Sequence, residues 1–332
     1  MKSLIQKLVE TAGPSGREDQ IRAVIRSEIE PHCQEVRVDA LGNLIARKGS
    51  KSKEGTRIMI SAHMDEIGVI ATHVDQNGFV RFTGIGMVYP KYCLGARVRF
   101  LNGLRGVINS EHTPDAKEQI PMEKMFIDVG VKDRAACPVK PGDMAVFEGP
   151  FIDLGNRIIA KSLDNRLGVA ILVELIKTIE TTSDEIYFVF TVQEEMRKSG
   201  ATVATYAIQP DLAVVVDVTA TGDTPDGIRM DVALGKGPAI KICDQGMISD
   251  RRVVQWMRNT AENTGIEYQL EVLEKGSTDA MAIQLSRAGV PSGVVSIPCR
   301  YIHSPSEMVD LQDVQKSFEL AQALISKPIR LE

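Results

Sequence analysis

Four short apolar runs limit what this chain can fold into: RIMISAH (57–63), EIYFVFTV (185–192), DLAVVVDV (211–218) and SGVVSIP (292–298). Each has the length of a buried strand and is rich in β-branched or aromatic residues. Polar residues gather at their ends. His63 and Asp65 close the first, Glu194 and Glu195 follow the second, Asp217 lies inside the third, and His303 follows the fourth. Helical patterns separate the runs; Leu167, Ile171, Leu175 and Ile179, for example, recur at every fourth position. Strand alternating with helix predicts an α/β fold with a mixed sheet flanked by helices.

At 332 residues the chain exceeds one typical core, so two domains are expected. The texture changes after Glu66. Short alternating segments broken by Asn77-Gly78, Asn102-Gly103 and Pro141-Gly142-Asp143 run to about Gly155 and predict a small all-β, barrel-like unit. Residues on both sides of this unit belong to the polar set at the strand ends, which makes it an insertion. The expected division is a catalytic domain of residues 1–66 and 156–332, interrupted by a β domain of residues 67–155. Near the start, Ser15 and Glu18 have the spacing of a capping box ahead of a helix whose apolar face is Ile21, Val24, Ile25 and Ile29. Another helix is expected over 280–288, capped by Asp279.

Composition excludes several classes. Thirty-nine basic against 44 acidic residues give a net charge of −5, with no basic stripe, which argues against nucleic acid as a partner. No apolar run approaches the ~18 residues that span a bilayer, and the opening segment has no leader-like core, so no membrane association and a cytoplasmic location are expected. The five cysteines are scattered, without a C-x-x-C pair, so any metal must be held by histidine and carboxylates.

In open α/β sheets, ligands bind beyond the carboxyl ends of the strands, where His63, Glu194, Glu195, Asp217 and His303 can converge. Asp164, in AKSLDNRLG (160–168), has the position of a helix N-cap but joins the same group. Asp217 is the sharpest signal, because a carboxylate in AVVVDV costs several kcal/mol unless paired, protonated or metal-bound. A single buried histidine is commonly structural; two beside several carboxylates suit zinc, cobalt or manganese. His32, His73 and His112 lie outside the pattern and are given no function.

Seven segments together resemble the tetrahedral, or glutamyl (deblocking), aminopeptidase family of co-catalytic metallopeptidases: SAHMDEIG, KSLDNRLG, TVQEE, VVVDVTATGDTP, KGPAI, GSTDA and PCRYIHSP. The resemblance runs nearly the length of the chain, in order. It implies a co-catalytic zinc-peptidase-like fold, peptide substrates and two divalent ions per subunit, zinc or cobalt. It further implies Asp164 as the bridging ligand, His63 and Asp217 completing one ion, and Glu195 and His303 the other. Glu194 would be the general base, with Asp65 orienting His63. Assembly of dimers into a tetrahedral dodecamer is implied as well, the inserted domain supporting the dimer. The chain departs from the family after the glutamates, reading MRKSGA (196–201) where small and apolar residues are usual; Arg197 and Lys198 are expected to extend into solvent.

Two other classes fit parts of the pattern. A glycosidase of the endoglucanase type needs two carboxyls flanking a sugar bond and no metal. A non-catalytic metal-binding scaffold would keep the ligands without needing Glu194.

Overall fold

The computed structural model describes residues 1–49, 55–111, 120–179, 184–327, 329 and 331. His112 lies outside them. The chain opens with helices α1 (Lys2–Glu10) and α2 (Asp19–Ile29), then strands β1 (Glu35–Val38), β2 (Leu44–Lys48) and β3 (Arg57–His63). Next come β4 (Gly68–Val74), β5 (Val80–Ile85), α3 (Pro90–Cys93), β6 (Arg97–Phe100), β7 (Arg105–Ser110), β8 (Met125–Asp128) and β9 (Met144–Phe147). The chain returns through β10 (Ile152–Asp153), β11 (Arg157–Ala160), α4 (Leu163–Thr178), β12 (Glu185–Thr191), α5 (Ser199–Ile208) and β13 (Leu212–Thr219). It closes with β14 (Ala239–Cys243), α6 (Arg251–Thr264), β15 (Gln269–Val272), α7 (Ala280–Gln284), β16 (Ser292–Arg300), β17 (Glu307–Asp310) and α8 (Leu311–Ile325).

The α/β fold expected from the strand–helix alternation is present. One mixed sheet has the order β1-β2-β12-β3-β13-β16-β17-β11-β10, with β14 branching from β16 and carrying β15. Its centre is parallel: β12 with β3, β3 with β13, and β13 with β16. The carboxyl ends of all four apolar runs therefore lie at one end of the sheet. Period-two alternation sorts their side chains between two cores. Phe188, Phe190, Val214 and Val216 join the larger core, which includes residues of α1, α2, α4 and α8. Val189, Ala213 and Val215 join the smaller core with residues of α5 and α7. Helix α4 is apolar on nearly every side because it lies in the larger core rather than on the surface.

Strands β4-β5-β8-β7-β6-β9 close into a barrel with its own core, including Val80, Val98, Phe100, Ile108 and Ile127. These strands all fall within residues 67–155; β10, also in that range, pairs with β11 of the main sheet. Helix α7 is shorter than the sequence pattern implied, ending at Gln284, and Asp279 makes no capping hydrogen bond to it. Among the described residues, no helix is long and apolar enough to cross a membrane.

Candidate metal centre

The sheet delivers the predicted residues to one place. His63 is the last residue of β3, in register with Thr191 at the end of β12. Asp217 lies near the end of β13, its Oδ1 accepting the N–H of Val218 at 2.8 Å and standing 3.6 Å from His63 Nε2. Asp164 comes from the first turn of α4, where it and Asn165 depart from helical geometry; the Asp164–Asn165 peptide is cis. Asp164 is thus no N-cap. Its carboxylate reaches two histidines, Oδ1 at 3.1 Å from His63 Nε2 and Oδ2 at 3.3 Å from His303 Nε2. His303 Nε2 is also 3.2 Å from Glu195 Oε1.

Ligand-type atoms of His63, Asp164 and Asp217 all lie within 4.8 Å of one another, as do those of Asp164, Glu195 and His303. Asp164 belongs to both triads. A third group of the same kind joins His63 to Glu194 and Glu195. Imidazole nitrogen with carboxylate oxygen is a donor set suited to zinc and related divalent ions. The charge balance points the same way. Burial opposes a charged imidazolium at His63, yet Asp217, Asp164 and Asp65 outweigh it and hold its pKa well above the ordinary value. At His303 burial is likewise overcome, here by Glu195 and Asp164. The carboxylates of this cluster favour positive charge beside them, and its donor atoms could hold a metal ion.

Glu194 and Glu195 sit on a turn beyond β12 that begins at Gln193, whose φ is +54°. Three consecutive N–H groups of this turn are taken by buried carboxylates. Gln193 donates to Glu18 Oε1 at 3.2 Å, Glu194 to Asp65 Oδ1 at 3.0 Å, and Glu195 to Asp65 Oδ2 at 3.2 Å. Ser15 Oγ donates to the same Asp65 oxygen at 2.6 Å. The Ser15/Glu18 pair therefore forms no capping box; both side chains support the Glu194–Glu195 turn, and Glu18 makes no side-chain cap to α2. Burial, followed by the nearby Asp65 charge, pushes Glu18 up to about 7. Asp65 meets His63 mainly through its backbone: Nδ1 is 3.3 Å from the carbonyl oxygen and 3.6 Å from the carboxylate.

Burial also raises Glu194 well above the usual carboxylate range, although His63 and Lys198 work against it. The Lys198 ammonium stands 3.0 Å from Glu194 Oε1, so the expectation that it extends into solvent is wrong; Arg197 alone is exposed. Lys198, immediately before α5, is only partly exposed because its ammonium pairs with the buried Glu194 carboxylate. Asp279 is buried too, accepting a hydrogen bond from the Thr191 hydroxyl and pushed up to about 6, chiefly by burial.

Sequence reasoning missed Glu307. It follows His303 by four residues, is buried at the start of β17, and accepts two backbone N–H groups, those of Asp164 at 3.0 Å and His303 at 2.9 Å. Burial and the Asp164 charge push it up to about 8. The only signal was a charged residue opening the otherwise strand-like EMVD.

Two glycines bring the barrel side against this centre. A Cβ on Gly86 would meet Glu195 Cβ at 3.0 Å, and one on Gly149 would meet the Pro305 carbonyl oxygen, in the His303 loop, at 2.3 Å.

Residues 42–320 match the peptidase family described as M42 glutamyl aminopeptidase. A protein of Acetivibrio thermocellus named as a putative aminopeptidase is 44% identical over 322 residues, 96% of this chain and 97% of its own. Among solved structures, an aminopeptidase of the archaeon Desulfurococcus kamchatkensis superposes with a TM-score of 0.93 at 38% identity, covering 98% of this chain and 94% of that one. The TET1 peptidase of Pyrococcus horikoshii, described as able to assemble into a tetrahedron or a large octahedral shell, gives 0.88 at 33% identity, with 99% of each chain covered.

Proposed function

The chain belongs to the M42 glutamyl aminopeptidase family, and from that premise we propose that it removes N-terminal residues from peptides at a centre holding two divalent ions. The observation that carries this reading is the Asp164 carboxylate, shared by the triads His63–Asp164–Asp217 and Asp164–Glu195–His303. Asp164 would bridge the ions, His63 and Asp217 completing one and Glu195 and His303 the other. When bound, such ions supply Lewis acidity, polarising the scissile carbonyl and lowering the pKa of water towards ~7.

The chain's own residues then divide the remaining work. Glu194, buried beside His63 and Glu195, accepts the proton of the attacking water and returns it to the leaving amine. Asp65 holds the backbone of both glutamates through two hydrogen bonds and keeps the ring of His63 oriented from its Nδ1 side. Lys198 pairs with Glu194 and fixes the direction of its carboxylate before substrate arrives.

A homo-oligomeric assembly is supported by the structural neighbours, and we assign the pairing of subunits to the barrel; a monomer in sedimentation velocity at micromolar concentration contradicts this. The cysteines are free, as fits the reducing cytoplasm to which we assign the enzyme.

Removal of metal by a chelator is expected to abolish hydrolysis of aminoacyl and peptide substrates, and zinc or cobalt to restore it. Undiminished hydrolysis by verified metal-free protein would contradict the reading. Cleavage of β-glucan by the metal-free protein would favour the glycosidase instead.

A further inference from the structure

Two of the residues assigned as ligands rest on backbone that regular secondary structure does not hold. Asp164 has ψ +108° and Asn165 has φ −117° and ψ +42°, both outside helical geometry although within the first turn of α4. His303 lies in a turn between β16 and β17 with φ +64°, two residues after Tyr301 at φ +60°. Left-handed backbone at residues other than glycine is disfavoured and persists only where surrounding contacts impose it.

One carboxylate spans both segments. Glu307 Oε2 accepts the N–H of Asp164, 143 positions away, at 3.0 Å, and Oε1 accepts the N–H of His303 at 2.9 Å. Glu307 is itself fixed, 2% exposed, with its backbone paired to Ala160 of β11. The two segments it joins bring side chains to a separation of 3.3 Å between His303 Nε2 and Asp164 Oδ2.

We propose that Glu307 is a positioning residue of the metal centre, a two-armed clamp that sets the distance between the Asp164 and His303 backbones and thereby the affinity for the ion assigned to Asp164, Glu195 and His303. The inference rests on the two-ion reading above. Glu307 acts through the backbone of two ligands and has no direct part in proton transfer. The same device holds the Glu194–Glu195 turn, where the two oxygens of Asp65 take the N–H groups of Glu194 and Glu195. All four clamped residues belong to the ligand–base set, and the clamps act at different loops.

The test is a two-site titration of metal-free, full-length protein with zinc in competition with a chromophoric chelator, alongside thermal unfolding of the metal-free form. Glu307→Gln keeps one acceptor oxygen and places an amide donor against the other N–H. Glu307→Asp keeps the carboxyl group but is one methylene too short to reach both amides. Both variants are expected to unfold within a few degrees of the wild type without metal, and to bind one zinc equivalent ~10- to 100-fold more weakly. Hydrolysis at saturating zinc should recover, with KM for the peptide unchanged. Wild-type affinity for both equivalents in Glu307→Gln overturns the proposal. So does wild-type affinity in Glu307→Asp alone, because the presence of a carboxyl group rather than its reach would then be the cause. A lowered unfolding temperature with intact zinc affinity also overturns it, assigning Glu307 a structural role. If Glu307→Gln fails to fold, Glu307→Asp carries the same readout. Failure of the wild type to bind two equivalents would instead bring down the two-ion reading itself.

Discussion

Between Gly68 and Phe147 the barrel buries Val69, Val80, Phe82, Val98, Phe100, Ile108, Met125 and Ile127, and among its described residues no polar or charged side chain is buried. Across the carboxyl end of the main sheet the reverse holds: His63, Asp65, Glu66, Asp164, Glu194, Asp217, Asp279 and Glu307 are all buried. Both regions are packed. The barrel follows from transfer of apolar surface out of water, which stabilises it without directional requirements. The sheet end keeps acids out of water, which costs stability unless each is hydrogen-bonded, paired or matched by a cation. A region whose burial favours folding reads as scaffold, and one whose burial opposes folding reads as function.

This contrast should break most visibly under a core truncation. Phe100→Ala, at 1% exposure in the barrel, is expected to cost about 3–5 kcal/mol in denaturant unfolding, through lost transfer energy and the cavity left behind. If unfolding were unchanged, the barrel would not be the apolar scaffold described.

A smaller effect of opposite sign is expected at the sheet end. Asp279, pushed up to about 6 from an ordinary 3.8, is harder to ionise folded than unfolded. An acid shifted in that direction destabilises the folded state fully above pH 6, and the penalty fades as pH falls towards 4. Asp279→Asn should therefore stabilise metal-free protein by about 1–3 kcal/mol at pH 8, with the gain vanishing near pH 4. Destabilisation independent of pH would mean that the Thr191 contact, rather than the charge, governs this position.

The smallest effect belongs to the surface. Glu28 is held down to about 2, chiefly by its hydrogen bonds from Lys177 and Lys7. Its contribution is present above its ordinary 4.5 and lost as pH falls through 2. Glu28→Gln should cost under about 1 kcal/mol at pH 7, and less in high salt. A larger loss would show that charge outside the sheet end matters more than the comparison allows.

How far each region could be read in the sequence follows the same division. The barrel was legible because alternation and turn residues are local signals, and its strands lie inside the stretch those signals marked. His63, Glu195, Asp217 and His303 stood out because charge interrupts or follows apolar runs, whereas Asp164 has the position of a helix N-cap and gains its ligand role only from the family resemblance. What could not be read was long-range. Ser15 and Glu18 have capping-box spacing, and nothing local reveals that Glu18 accepts from Gln193, 175 positions away. Glu307 showed only as a charge opening a strand-like segment, because accepting backbone N–H groups leaves no mark on the residues that donate them. Lys198 was misread because a lysine on an irregular loop is commonly solvated, and only the fold shows the buried acid it meets.

In the proposed mechanism two adjacent glutamates divide the labour, Glu194 moving protons and Glu195 holding an ion. Metal content and steady-state rates of Glu194→Gln and Glu195→Gln, measured side by side, test it most directly. Glu194→Gln should keep both equivalents and lose ~10²- to 10⁴-fold in turnover, because an amide cannot accept the proton. Glu195→Gln should lose one equivalent and recover partly in excess metal. Near wild-type turnover in Glu194→Gln, or loss of metal from it as readily as from Glu195→Gln, would contradict the account.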